Sequence, residues 1–183
     1  MRFATLLLAF VVSSSLLAEH LPGGNLTYRC VGTNQYEITL QLWRECSGAP
    51  MVAQDLHFES LCGVVFDVTD IPLIQQQEVS PVCPDQQLQT TCNGGTLIGI
   101  EQYTYRTTLF LSQCSQWTIS WNTCCRNVSI NLLGAQGLYI EAQLNNAGTG
   151  CFDSPSFSQA LPPYVCVDQP VSYDPGVVLG ADQ

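Results

Sequence analysis

Tyr36-Glu37-Ile38-Thr39-Leu40-Gln41-Leu42-Trp43 alternates strictly, with Ile38, Leu40 and Leu42 on one face and Glu37, Thr39 and Gln41 on the other. Successive strand side chains point to opposite faces, so this run reads as a half-buried β-strand. Asn25 to Val31 precedes it, and Gly32-Thr33-Asn34 between them offers residues able to adopt positive φ, which predicts a hairpin. The same period of two recurs at Ile98 to Leu111, where Tyr103, Tyr105, Leu109 and Leu111 share a side. In Gln116-Trp117-Thr118-Ile119-Ser120-Trp121 the residues Trp117, Ile119 and Trp121 share a face, as expected of a core strand.

Further strands are expected at 51–59, 62–68, 75–80, 126–132, 138–144, 163–168 and 171–178. β-branched and aromatic residues fill these segments and no window sustains a helical period. Many short strands separated by Gly, Pro, Asn and Asp predict an all-β protein, an antiparallel sandwich of immunoglobulin-like or jelly-roll-like type.

The N-terminus has the layout of a secretory signal peptide. Met1-Arg2 supplies the positive start, Ala4 to Val12 the apolar core, and Ser13 to Ala18 the small residues before Glu19-His20. The expected organisation is a signal peptide at 1–18, one disulfide-rich sandwich domain at 19–170, and an edge strand or linker at 171–183. Proline and glycine punctuate the last stretch, as before a following domain. The apolar run is shorter than the roughly 20 residues of a spanning helix, so no membrane insertion is expected after cleavage.

Ten cysteines follow the signal: Cys30, Cys46, Cys62, Cys83, Cys92, Cys114, Cys124, Cys125, Cys151 and Cys166. An even count behind an export signal predicts a disulfide framework, because thiols stay reduced mainly in the cytosol. No Cys-x-x-Cys pair favours zinc. Spacing suggests one bridge, Cys83 with Cys92. Adjacent Cys124 and Cys125 would leave a strand in opposite directions and bond different partners.

The formal charge is −10, there is no lysine, and five arginines face fifteen acids. Such a chain lacks the cationic footprint that nucleic acids require. Catalytic constellations are thin. A Ser-His-Asp site would have to use His57, since His20 lies beside the expected new N-terminus, and no Gly-x-Ser-x-Gly elbow occurs. Asp67 with Asp70, or Glu101 with Glu141, are the acidic pairs to consider for glycoside hydrolysis. Asp55, Asp67 and Asp70 could contribute to a calcium site, although no complete calcium loop is present and no other cofactor is implied. Among the aromatics, Trp117 and Trp121 belong to the core face, whereas Trp43 is the candidate for a ligand-facing ring. Asn25-Leu26-Thr27 and Asn127-Val128-Ser129 are glycosylation sequons.

Gly23-Gly24-Asn25-Leu26-Thr27-Tyr28-Arg29-Cys30 and Leu42-Trp43-Arg44-Glu45-Cys46-Ser47-Gly48 resemble the N-terminal region of large exported Bacteroidetes surface proteins. So do Val79-Ser80-Pro81-Val82-Cys83-Pro84, Thr91-Cys92-Asn93-Gly94-Gly95, Cys124-Cys125-Arg126-Asn127 and Tyr164-Val165-Cys166. That family is of the gliding-motility-associated, type IX secretion cargo type. The resemblance implies an uncharacterised β-sandwich module and no catalytic residues. Together these features predict a secreted or cell-surface, non-enzymatic adhesion or structural module. Its expected partners are other surface proteins or extracellular polysaccharide. A carbohydrate-binding module is the alternative, and a secreted hydrolase the third.

Overall fold

A computed structural model of the chain describes residues 20–124, 126, 136–158, 168, 170, 172, 174 and 176–180. Ten strands are present among them: β1 (Gly23–Gly32), β2 (Gln35–Glu45), β3 (Gln54–Ser60), β4 (Val65–Ile71), β5 (Leu73–Glu78), β6 (Ile100–Phe110), β7 (Trp117–Thr123), β8 (Leu138–Leu144), β9 (Ser156–Phe157) and β10 (Val177–Val178). Two 3-10 turns, Pro84–Gln89 and Thr91–Asn93, interrupt the β5–β6 connection.

The strands form two antiparallel sheets, ordered β1-β2-β6-β5 and β4-β3-β7-β8, with β9 and β10 paired separately. This is the immunoglobulin arrangement, in which A-B-E-D faces C-F-G, here with an added C′ strand. Strand order therefore selects the first of the two sandwich types the sequence allowed. Neither β2 nor β7 carries a cysteine, so the inter-sheet B–F bridge of antibody domains has no counterpart.

Local chemistry explains the turns. Asn34 takes φ 55° between β1 and β2, a left-handed conformation its short polar side chain tolerates. Gly63 takes φ 82° between β3 and β4, where a side chain would be strained. The chain changes sheets between β4 and β5 within one residue, Pro72, after Asp70 turns at φ 57°. Proline has no N–H to leave unpaired there.

The alternating faces meet as the pattern requires. Ile38, Leu40, Leu42, Tyr103 and Tyr105 of one sheet pack over Leu56, Phe58, Ile119, Trp117 and Trp121 of the other. Phe66 stacks on Phe58 with centroids 4.9 Å apart and meets Trp117 edge-on at 5.9 Å. Both core tryptophans satisfy their N–H groups, Trp117 on the Ser112 carbonyl at 3.0 Å and Trp121 on Gln54 Oε1 at 2.9 Å. On the β1–β8 side the backbone approaches closely. A Cβ on Gly24 would lie 2.7 Å from the Gln41 carbonyl and 2.8 Å from Ile140 Cδ1, so only glycine fits.

The expected strand at 138–144 coincides with β8, while 51–59, 62–68 and 75–80 correspond to β3, β4 and β5 shifted by a few residues. Of 171–178, the strand among the described residues is Val177–Val178. The expectations at 127–132 and 163–167, the signal peptide at 1–18, and Asn127, Cys125 and Cys166 lie outside the described residues.

Three disulfides are described: Cys30–Cys151, Cys46–Cys92 and Cys62–Cys114. Cys124 is disulfide-bonded too. The expected Cys83–Cys92 bridge is not formed, and Cys83 is an exposed free thiol. The β2–β6 ladder explains the exchange. It continues past both strands through the Cys46 N–H, which donates to the Gly99 carbonyl at 2.9 Å, and Gly99 in turn abuts the Cys92 sulfur. Cys92 is thus held against the end of β2, on the far side of the Pro84–Gln89 turn from Cys83.

Candidate functional site

The outward face of the β4-β3-β7-β8 sheet collects the polar residues that the core alternation expels. Its central row runs Asp67, His57, Ser120, Glu141, one residue from each strand, all in direct register. Glu59 and Asp55 flank His57 along β3, and Asn122 and Tyr139 lie beside Ser120 and Glu141. Four acids (Asp55, Glu59, Asp67, Glu141) therefore share this face with His57. Asp55, Leu56, His57, Asp67, Thr69, Ser120, Trp121 and Asn122 line an open groove of about 370 Å³ upon it.

The row contains a Ser, a His and an Asp, and the fold brings them together from three strands. His57 Nδ1 lies 2.7 Å from Asp67 Oδ1, as the orienting contact of a triad requires. The second contact is missing: no hydrogen bond joins His57 to Ser120 among the described residues. Ser120 is 5 % exposed, and its side chain lies toward the Tyr139 phenol. The hydrogen bond from the Tyr139 hydroxyl to Glu141 Oε2, at 2.9 Å, raises the phenol above its ordinary value; slight burial adds to this and the Ser120 contact opposes it.

β3 and β7 are each paired on both sides, so their backbone N–H groups are spent on the ladders and are not turned toward a developing oxyanion. The His57 and Asp67 side chains are 43 % and 63 % exposed, leaving the pair in water rather than in a low-dielectric cleft. The arrangement is chemically an open, solvent-filled hydrogen-bonding groove. Ser120, Tyr139 and their cross-strand partners were invisible as a group in the sequence, because only register assembles them.

The other acidic candidates are separated. Asp70 sits at the turn before Pro72, where its N–H donates to Asp55 Oδ1 at 2.8 Å, while Asp67 is engaged by His57. Glu101 and Glu141 belong to different sheets. No group of three His, Cys, Asp or Glu able to hold a metal occurs among the described residues.

Trp43 requires a correction. Its parity puts it on the outward face of the β1-β2-β6-β5 sheet, as the sequence indicates, yet it is 8 % exposed and offers no open ring. Gly23 lies opposite it in register, so no β1 side chain props the indole away from the sheet. Around it that face is mostly amide and hydroxyl (Asn25, Thr27, Thr39, Gln41, Gln75, Gln77, Gln102 and Thr104), with Phe110 exposed at its far end. Its two acids are both matched, Glu37 by Arg29 at 3.1 Å and Arg106 at 3.7 Å, and Glu45 by His20 at 3.2 Å. The two faces of the sandwich thus differ in charge, one acidic and one neutral.

At the end of the sandwich holding Cys46–Cys92, Arg44 and Glu78 organise the loops. Arg44 points inward with Leu42 and donates to the carbonyls of Gly48 and Ala49 and to Glu101. Glu78 accepts from Ser80, Thr90 and Asn93. Burial alone would raise the Glu78 carboxyl, but these three hydrogen bonds outweigh it and hold the group below its ordinary value.

No protein-family model, no curated protein and no solved structure matches this chain. Among the described residues no helix is long and apolar enough to cross a membrane. The disulfides fit an oxidising compartment, where such bonds persist.

Proposed function

We propose that the chain is an exported, non-catalytic adhesion or surface-architecture module that presents a rigid sandwich to another surface protein or to extracellular polysaccharide. The placement of the cross-links carries this reading. Cys30–Cys151 and Cys62–Cys114 fasten the loops at one end, and Cys46–Cys92 fastens those at the other. Between them the outward faces of the two sheets stay open to solvent. Cross-links that span 121, 46 and 52 residues constrain the unfolded chain most strongly, as suits a domain that must persist outside the cell. The open geometry around His57 supports recognition rather than turnover.

The test is retention under flow. Beads coated with the oxidised chain are passed over the surface of the producing cells, alongside beads coated with reduced, alkylated chain and with albumin. Retention of the oxidised chain alone is expected. Equal retention of oxidised chain and albumin ends the proposal.

A further inference from the structure

An immunoglobulin-type sandwich has four lateral sheet edges, and in this chain three are blunted. The β1 edge is occupied by its own downstream segment. Ser154 N–H donates to the Tyr28 carbonyl at 2.9 Å, Ser154 Oγ accepts from Tyr28 N–H at 2.9 Å, and Asp153 Oδ1 accepts from Cys30 N–H at 2.7 Å. The β8 edge is covered by β1, whose Tyr28 hydroxyl donates to the Gln143 carbonyl at 3.1 Å. The β4 edge carries Asp67 and Asp70, a register shift and a left-handed residue, the usual devices against pairing.

β5 has none of these over most of its length. Leu73-Ile74-Gln75-Gln76-Gln77 are all exposed and uncharged, Pro72 stands before the strand rather than in it, and the one register shift lies at its start, between Leu73 and Gln75. Its inner side pairs with β6, and its outer side presents backbone N–H and C=O groups with no strand upon them among the described residues. An open edge of this kind is a template for a further strand.

We propose that the occupant is β5 of a second copy, joined antiparallel across a two-fold axis to give a continuous sheet β1-β2-β6-β5-β5′-β6′-β2′-β1′. Charge and side-chain chemistry select it. The chain carries −10 overall and the outward face of the β4-β3-β7-β8 sheet is acidic, so contacts between copies through that face bring like charges together, whereas β5 is charged only at Glu78. Antiparallel pairing with matched faces sets Gln76 against its copy and Gln75 against Gln77 of the copy, and sends the two Glu78 residues to opposite ends of the ladder, about 14 Å apart at roughly 3.4 Å per residue. That exceeds the screening length of about 8 Å in physiological salt. Gln75 and Gln77 bond one another on the outward face, and each amide donates and accepts, so they can exchange that bond for their copies across the axis, while Gln76 stays bonded to Glu101. A basic partner would find no charge on this edge to meet.

Sedimentation velocity on the oxidised full chain, with thiols blocked by iodoacetamide so that Cys83 cannot cross-link, tests the pairing. A reversible monomer–dimer equilibrium up to millimolar chain is expected. Hydrogen exchange should show slower exchange of the 73–78 amides as concentration rises. The double variant Gln75→Lys/Gln77→Lys is expected to remain monomeric, although it reduces the net charge from −10 to −8 and so weakens general repulsion. Wild-type chain that stays monomeric throughout overturns the proposal. So does a dimer that the lysines leave intact, or one whose 73–78 amides exchange at the monomer rate. The exchange measurement needs only wild-type chain, so a misfolded variant would not blunt the test. The pairing stands apart from the adhesion proposal, because bead retention of the monomeric variant reads adhesion and sedimentation reads the edge.

Discussion

Arg44 and Glu101 meet across the β2–β6 ladder with Arg44 Nη2 donating to Glu101 Oε2 at 2.5 Å, their side chains only 7 % and 17 % exposed. The guanidinium also caps the Gly48 and Ala49 carbonyls and lies 5.4 Å from the centre of the Tyr103 ring. One side chain thus ties the β2–β3 loop to the end of the core. Removing one partner of a buried pair strands the other, which typically costs about 3–5 kcal/mol. Arg44→Ala is expected to lose stability of that order in urea unfolding, and Arg44→Lys, which keeps the charge but not the fork, a smaller amount.

The same pair predicts a pH profile. Burial would raise the Glu101 carboxyl, but hydrogen bonds from Arg44, Gln76 and Tyr103, together with the Arg44 charge, hold it below its ordinary value of 4.5. A carboxyl depressed in the folded state stabilises the fold fully above its unfolded value and loses that contribution as pH falls through the folded one. Glu78 acts with the same sign. The melting temperature is therefore expected to be level above pH 4.5 with respect to these groups and to fall below it. Glu101→Gln should shallow that acid limb, as followed by circular dichroism.

The cysteines give a prediction that does not depend on function. Native, oxidised chain treated with iodoacetamide should be alkylated at Cys83, while Cys30, Cys46, Cys62, Cys92, Cys114 and Cys151 are protected in bonds. Peptide mapping without reduction reads this directly. Replacing Cys46 and Cys92 together by alanine opens a loop of 46 residues, for which chain entropy gives a loss of up to about 4 kcal/mol. Cys83→Ser should leave stability unchanged.

Asn146 plays for the opposite end the part that Arg44 plays for this one. It is 2 % exposed; its Oδ1 accepts from the Cys114 N–H at 2.8 Å, and its Nδ2 donates to the Leu111 and Ser112 carbonyls at 3.1 and 3.3 Å. Ser112 keeps a second donor in Trp117, but the Cys114 amide loses this acceptor if the side chain goes. Asn146→Ala is expected to cost roughly 2–3 kcal/mol. Among the described residues the side chain of the neighbour Asn145 bonds only the exposed Ala147 N–H, so Asn145→Ala should change stability by less than about 0.5 kcal/mol.

Period-two alternation made β2, β7 and β8 legible residue by residue, because a strand packed on one face must alternate. Register was not legible, and the site depends on it. Nothing in Gln54 to Glu59 or Gln116 to Trp121 announces that His57 will lie between Asp67 and Ser120. The disulfides hid for a related reason. Cys83 and Cys92 are close in sequence, but the strand ladder carries Cys46 to Cys92 from far away. Arg44 shows the limit of parity itself. It continues the inward positions of Leu40 and Leu42, where a charge looks excluded, and is tolerated because Glu101 arrives from β6.

Trp43 and Trp117 make a final contrast, since both are buried but only one has its N–H satisfied. Trp117 Nε1 donates to the Ser112 carbonyl, whereas Trp43 Nε1 is buried with no hydrogen-bond partner among the described residues. Replacement by phenylalanine removes ring area at both sites. At Trp117 it also removes a hydrogen bond that ties the core to the loop after β6, so a loss of about 2–3 kcal/mol is expected. At Trp43 it deletes an unpaired donor, which offsets the lost packing and should hold the change to about 1 kcal/mol or less. Urea unfolding followed by circular dichroism compares the two variants. With all three tryptophans buried, the native fluorescence should also be blue-shifted, weakly quenched by acrylamide and unmoved by polysaccharides. A red-shifted, readily quenched component lost in Trp43→Phe would instead place that indole in solvent and restore it as a ligand-facing ring.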